Sequence, residues 1–319
     1  MRWADRIGRR LKLRDLHILL AVVQCGSMAK AARQLSVSNP VVSKAISDLE
    51  DALEAPLLDR GARGVEPTIY GRALLDHARS VFDELKQAVK HVEFLSDPTA
   101  GEAWIGSSIA LASGLIAAVI DRLSREHPRL VFHLLAAESS MTYRALEERK
   151  VDLVVARIFK PIANEQMDAE VLYDEQEVIV AGAHNPWTRR RKIELAELMH
   201  EPWTLPPPDT LSGSVIAEAF RDRELDLPPT TIITASVPVR TALLATGRFL
   251  TIIPRSVLRF SPDNPALKRL PVELPTTRRP VGIITLKNRI LSPVARLFIV
   301  RAREVVKSLV VSAKKVRVG

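Results

Sequence analysis

Between residues 13 and 53 the apolar positions recur at helical spacing. Leu13, Leu16, Leu20 and Val23 form one stripe, which Gly26-Ser27 breaks. Met28 to Leu35 reads as a short alanine-rich helix, and Ser36-Val37-Ser38 as the turn into a third. In that third segment, SVSNPVVSKAISDLE, the residues Val42, Ile46, Leu49 and Leu53 define one face, while Val41, Ser43, Lys44 and Ser47 fall elsewhere. Pro40 fits a first helical turn, where its missing N–H loses no partner. Ser38 or Asn39 can cap the exposed amides. Helix, tight turn and second helix with a short-residue polar face make the helix-turn-helix plan.

The pattern then shortens. LLDRGARGVEPT, residues 57–68, holds two extended pieces around Gly61 and Gly64, with Arg60 and Arg63 between, and predicts a β-hairpin wing with a basic tip. Thr68 can cap the helix that follows. That helix keeps a seven-residue repeat, Leu75, Phe82, Val89 in one series and Ala78, Leu85, Val92 in the other, which predicts a coiled-coil dimer seam. A hinge is expected at Asp97-Pro98-Thr99-Ala100-Gly101. Beyond it, short β runs alternate with helical patterns. Strands are predicted at 103–105, 131–135, 151–156, 178–181, 231–234, 250–253 and 281–286. Helices are predicted at 115–127, 141–148, 214–223 and 239–246, with a last one from Pro293 to about Val311. Such alternation implies an α/β domain on largely parallel sheets, and its length suits two lobes with a cleft.

Composition narrows the function classes. The chain has 319 residues and 47% hydrophobic content, enough for two or more globular domains. It has no uncharged apolar run of membrane-spanning length and no secretory leader pattern. One cysteine, Cys25, forbids an internal disulfide and suits the cytoplasm. The net charge of +9 is unevenly placed: residues 1–95 hold 15 Lys and Arg against 12 Asp and Glu, whereas residues 278–319 hold 11 against one. Charge alone does not single out the N-terminal region. No HExxH, GxSxG, GxGxxG or GxxxxGK[ST] motif occurs, and the seven histidines show no ligand spacing. Neither an enzyme, a cofactor nor a metal is expected.

LRDLHILLAVVQCGSMAKAARQLSVSNPVVSKAISDLE, followed by LLDR and the TxxG of Thr68 to Gly71, resembles the LysR-type transcriptional regulators. The resemblance implies a bacterial DNA-binding regulator. Its fold would be an α+β winged helix-turn-helix, a long linker helix, and a C-terminal two-lobed α/β effector domain similar to type 2 periplasmic binding proteins. The expected boundaries are 13–70, 71–96, a hinge at 97–102 and an effector domain at 103–312. Lobe I would span about 103–172 and 277–312, and lobe II about 173–276. The chain departs from the family at Met28 and Leu58, where phenylalanine is usual, at Asn39 for glutamine, and at Pro67 for leucine.

On duplex DNA, Asn39, Pro40, Val41, Ser43 and Lys44 are expected at base edges. Ser27, Lys30, Ser38 and Ser47 are expected at phosphates, and Arg60 and Arg63 on the backbone or minor groove. In the effector half, Ser107 and Ser108 follow the first strand and Arg157 ends a later one, while Thr234 and Ser236 close a strand of the other lobe. By resemblance, Ser139 and Arg157 match inducer-holding positions, and Ala110 stands where relatives place a serine or threonine. A carboxylate, aromatic or sugar-acid effector, RNA polymerase, and a homodimer or homotetramer are the implied partners. The competing reading is a solute-binding or dehydratase-like α/β protein carrying an unrelated helical N-terminus.

Overall fold

A computed structural model describes residues 10–61, 64–158, 165–260 and 266–315, with side chains for all of these except 260 and 309–315. The chain divides into two compact units, one ending at Val89 and the other beginning at Lys90.

In the first unit, helices α1 (Leu13–Cys25), α2 (Met28–Gln34) and α3 (Asn39–Leu53) precede a two-stranded hairpin, β1 (Leu58–Gly61) and β2 (Gly64–Pro67), and most of α4 (Ile69–Ser96), whose last residues from Lys90 belong to the second unit. The predicted stripe on α3 is its buried face: Val42, Ile46 and Leu49 are sealed among Leu19, Val22, Ala31 and Leu57. Fully burying each large aliphatic side chain stabilises the unit by about 1.5–3 kcal/mol. Gly26 ends α1 in the left-handed region at φ 61°, and its carbonyl accepts from the Val65 amide at 3.0 Å, tying hairpin to turn. Thr68 caps α4 as expected, its hydroxyl accepting from the Gly71 amide at 3.0 Å. Neither Ser38 nor Asn39 performs the side-chain capping expected at α3. Ser38 is the N-cap without a side-chain cap bond, and Asn39 is already helical.

The second unit contains two five-stranded sheets. The first has the order β4-β3-β5-β12-β6, formed by β3 (Ala100–Ser107), β4 (Arg129–Ala136), β5 (Leu153–Arg157), β6 (Met167–Glu175) and β12 (Arg279–Leu286). The second has the order β11-β7-β10-β8-β9, formed by β7 (Glu177–Gly182), β8 (Trp203–Leu205), β9 (Thr230–Ile233), β10 (Leu250–Pro254) and β11 (Leu267–Arg269). Neither is largely parallel. β12 runs against both β5 and β6, and β7 runs against β10 and β11, so both sheets are mixed. In the first sheet the antiparallel member is β12, which the chain adds on returning from the second sheet, whose own strands β7 to β11 are consecutive.

Helices α6 (Ala117–Glu126) and α11 (Pro293–Lys315) cover one face of the first sheet around Phe298, and α7 (Ser139–Glu147) covers the other. The predicted helix at 115–127 begins earlier, as α5 (Ile109–Leu111) and a π-helical turn over Ala112–Ile116. Helix α8 (Leu211–Arg221) packs on the second sheet through Phe220 against Trp203, and α9 (Val237–Leu244) packs on its opposite face. A short α10 (Arg255–Phe260) follows β10.

Strand β3 already starts at Ala100, which shortens the expected hinge to Asp97–Thr99; Asp97 accepts from the Thr99 hydroxyl at 2.6 Å and amide at 3.1 Å. The first sheet keeps the chain as far as Glu175, and the second begins at Glu177. At this waist the outgoing and returning segments touch: the Glu177 amide donates to Thr277 Oγ1 at 3.1 Å.

Candidate nucleic-acid interface and effector cleft

Helix α3 divides cleanly into two faces. Ser38, Asn39, Pro40, Ser43, Lys44 and Ser47 are exposed away from the sealed apolar stripe, while Val41 is half-buried and packs against that core. Short side chains there leave the helix backbone able to approach a surface closely. Lys44 is the only basic side chain of α3. Ser27 caps α2 by accepting from the Lys30 amide at 3.5 Å, so part of its polar capacity is used internally, while Lys30 is exposed. Arg60 is exposed on β1. Arg63 lies outside the described residues.

The expected dimer seam on α4 splits. Leu75 and Ala78, at 2% and 1% exposure, belong to the core of their own unit, and Phe82 packs against that core. They are corrected from an outward seam to an internal one, because α4 must close the helical core before it can offer a face to anything else. Leu85, Val89 and Val92 are exposed, and Val81 joins them to make a stripe at steps of four, four and three residues. An open apolar groove of about 730 Å³ lies alongside, lined by Leu11, Leu13, Leu16, Tyr70, Leu74 and Val81 among others.

A cavity of about 60 Å³ opens between the two lobes of the second unit. Of the expected effector contacts, Ser108, Ser139 and Arg157 line it. Ser107 does not. It is fully buried, and its hydroxyl donates to the carbonyls of Val155 at 3.1 Å and Ser108 at 3.2 Å, bracing two strands. Thr234 and Ser236 flank the lining residue Ala235 but do not line the cavity themselves. Thr234 Oγ1 accepts from the Ser236 amide, and Ser236 caps α9. Ser108 caps the short α5, accepting from the Leu111 amide at 3.5 Å.

Sequence reasoning missed three polar contributors, Thr210, Ser212 and Arg240. Thr210 caps α8, accepting from the Gly213 amide at 3.1 Å. Arg240, only 4% exposed, donates through Nη1 to the Ile252 carbonyl at 2.9 Å, and its buried Nε has no hydrogen-bond partner among the described residues. Burial pushes its pKa down, and the nearby Glu177 carboxylate opposes that. The other arginine is matched. Arg157, on β5 of the first lobe, donates to Glu177 Oε1, on β7 of the second, at 2.6 Å, and both are buried. Burial works against the Arg157 charge, but Glu177 and then Glu175 outweigh it and its pKa is raised. Burial also pushes the Glu175 carboxyl upward, against the opposing Ser256 hydrogen bond and Arg157 charge.

The family model described as "Bacterial regulatory helix-turn-helix protein, lysR family" matches residues 13–72, and the one described as "LysR substrate binding domain" matches residues 96–307. Among curated relatives, the HTH-type transcriptional regulator GbpR of Azospirillum brasilense is 31% identical over 90% of this chain and 84% of its own length. The HTH-type transcriptional regulator PcaQ of Agrobacterium fabrum is 27% identical over 87% of this chain and 89% of its own. Among solved structures, full-length OxyR from Pseudomonas aeruginosa matches with TM-score 0.66 at 18% identity, covering 93% of this chain and 96% of that one. Full-length CbnR complexed with its target DNA matches with TM-score 0.61 at 20% identity, covering 92% and 99%. The match over residues 13–72 removes the reading of an unrelated helical N-terminus on a solute-binding or dehydratase-like protein. Among the described residues no helix is long and apolar enough to cross a membrane. With both parts matched in order along one chain, this protein belongs to the LysR family and is a DNA-binding transcriptional regulator with an effector-binding domain.

Proposed function

We propose that α3 enters the major groove with Asn39, Pro40, Val41, Ser43 and Lys44 at base edges, while Ser27, Lys30, Ser38, Ser47 and Arg60 grip phosphates. The observation that carries this is the exposed, short-residue face of a helix whose other face is sealed in the core. Two copies pair through the outward α4 stripe and the adjoining groove, so two recognition helices reach neighbouring half-sites and their affinities combine through effective concentration. A small molecule in the lobe cleft biases the equilibrium between lobe arrangements by binding one better than the other. That bias changes how the bound regulator bends DNA or meets RNA polymerase.

The test is a gel shift with the DNA upstream of the protein's own gene. Lys44→Ala should weaken specific binding by about 1–3 kcal/mol and blur base preference. An equal loss on random DNA would assign Lys44 to phosphate alone, and no retardation of any fragment at low salt would overturn the reading.

A further inference from the structure

Two buried guanidiniums line the lobe cleft, and of these only Arg157 is hydrogen-bonded to a carboxylate among the described residues. Arg157 and Arg240 both line it, while Glu177 is the carboxylate that both guanidiniums feel and it is hydrogen-bonded to Arg157. Glu175, also buried, accepts from the Tyr173 hydroxyl at 3.0 Å and from the Gln176 and Ser256 amides at 3.1 and 3.3 Å. Glu138 lines the mouth but is exposed, so water screens it. Arg240 is left with a backbone carbonyl and a distant hydroxyl for Nη1, and with a buried Nε–H that has no partner among the described residues. A buried guanidinium donor without an acceptor is costly, so a ligand that supplies the acceptor is favoured.

The helix starts around the cavity carry the same sign. Ser139 begins α7, Thr210, Leu211 and Ser212 begin α8, and Val237 begins α9; all five line the cavity. Helix N-termini present uncompensated amides and the positive end of the dipole. The start of α7 has no side-chain cap.

Resting on the proposal that this cleft is the effector site, we propose that the effector is a compact organic anion whose oxyanion is taken by Arg240, with Arg157 withheld from that role by Glu177. This shifts the weight from Arg157, which the sequence placed among the inducer-holding positions, to Arg240. The cavity volume of about 60 Å³ admits a short-chain acid more readily than a fused aromatic one.

The experiment is thermal unfolding of the full-length protein at constant ionic strength. The probes are acetate, pyruvate, succinate, citrate, phosphate and sulfate, with acetamide, succinamide and glucose as uncharged controls. At least one anion should raise the melting temperature while its neutral counterpart does not. Whether carboxylates or inorganic ions give the larger shift identifies the source of the oxyanion. Arg240→Gln should weaken the active anion at least tenfold, and Arg240→Lys, which keeps the charge where the Gln variant fails to fold, should retain part of it. Ser139→Trp, which fills the cleft, should abolish the response. An anion response unchanged in Arg240→Gln, or silence across all six anions, overturns the proposal. Stabilisation by neutral probes alone that Ser139→Trp removes would overturn it too, while leaving the cleft as the effector site. A response that survives Ser139→Trp would overturn both.

Discussion

A methyl group at position 71 would stand 2.0 Å from the carbonyl oxygen of Leu57. The same carbonyl accepts from the Thr68 amide at 3.0 Å, so threonine and glycine of the TxxG segment serve one junction. Thr68 closes the first turn of α4 and also donates through its hydroxyl to the Pro56 carbonyl at 2.6 Å; Gly71 lets that turn lie against the backbone before the wing. Gly71→Ala should therefore destabilise the first unit by about 3 kcal/mol, at the upper end of overpacking costs, because the obstacle is backbone and cannot rotate away. Chemical denaturation of the full-length protein followed by far-UV circular dichroism would measure it, and a loss below about 0.5 kcal/mol, the ordinary range for a surface change, would show the junction to be loose. Arg240 teaches the opposite lesson about legibility. The sequence places it inside a plausible helix and gives no sign that it is buried, since only the packing of α9 on the second sheet excludes water from it.

Elements were readable in proportion to how much apolar surface they bury. Helices α1, α3 and α4 show strong 3.6-residue patterns because each seals one face, and strands β5, β7 and β10 are continuous apolar runs because both of their faces are covered. Strand β6, MDAEVLYDE, escaped because it is an edge strand, mostly exposed along its middle, with no apolar run to announce it. Strands β8 and β11 have three residues each and exist through their neighbours in the sheet. Strand direction was equally hidden, since it depends on where the chain returns and not on local pattern. Helix α4 shows how a true repeat can be divided between two tasks. Val89, at 57% exposure, lies on the outward stripe, whereas Leu75 is internal. Val89→Glu should leave the melting temperature nearly unchanged while shifting sedimentation toward the monomer, and Leu75→Glu should unfold the first unit. A Val89→Glu protein that sediments as the wild type would remove α4 from the pairing surface.

At the scale of the whole effector-binding unit, the two lobes share one buried ion pair. Removing Arg157 takes from buried Glu177 its ion-pair partner, leaving Arg240 as a nearby charge without a bond to it, and its Oε2 already has no hydrogen-bond partner among the described residues. Arg157→Met should cost about 3–5 kcal/mol, and the double variant Arg157→Met with Glu177→Met should recover most of it, because the loss comes from the stranded charge more than from the bond itself. Denaturant midpoints of the single and double variants would decide this; a double variant as unstable as the single one would show that the pair itself holds the lobes. The waist that carries this pair has a mechanical consequence. Outgoing and returning strands lie side by side there, Arg279 opposite Glu175 and the Glu177 amide on Thr277 Oγ1. The outgoing and returning crossings are therefore tied to each other as well as to the two sheets. Neither crossing can shift alone while that lacing holds, so a displacement of one lobe is imposed on both crossings together.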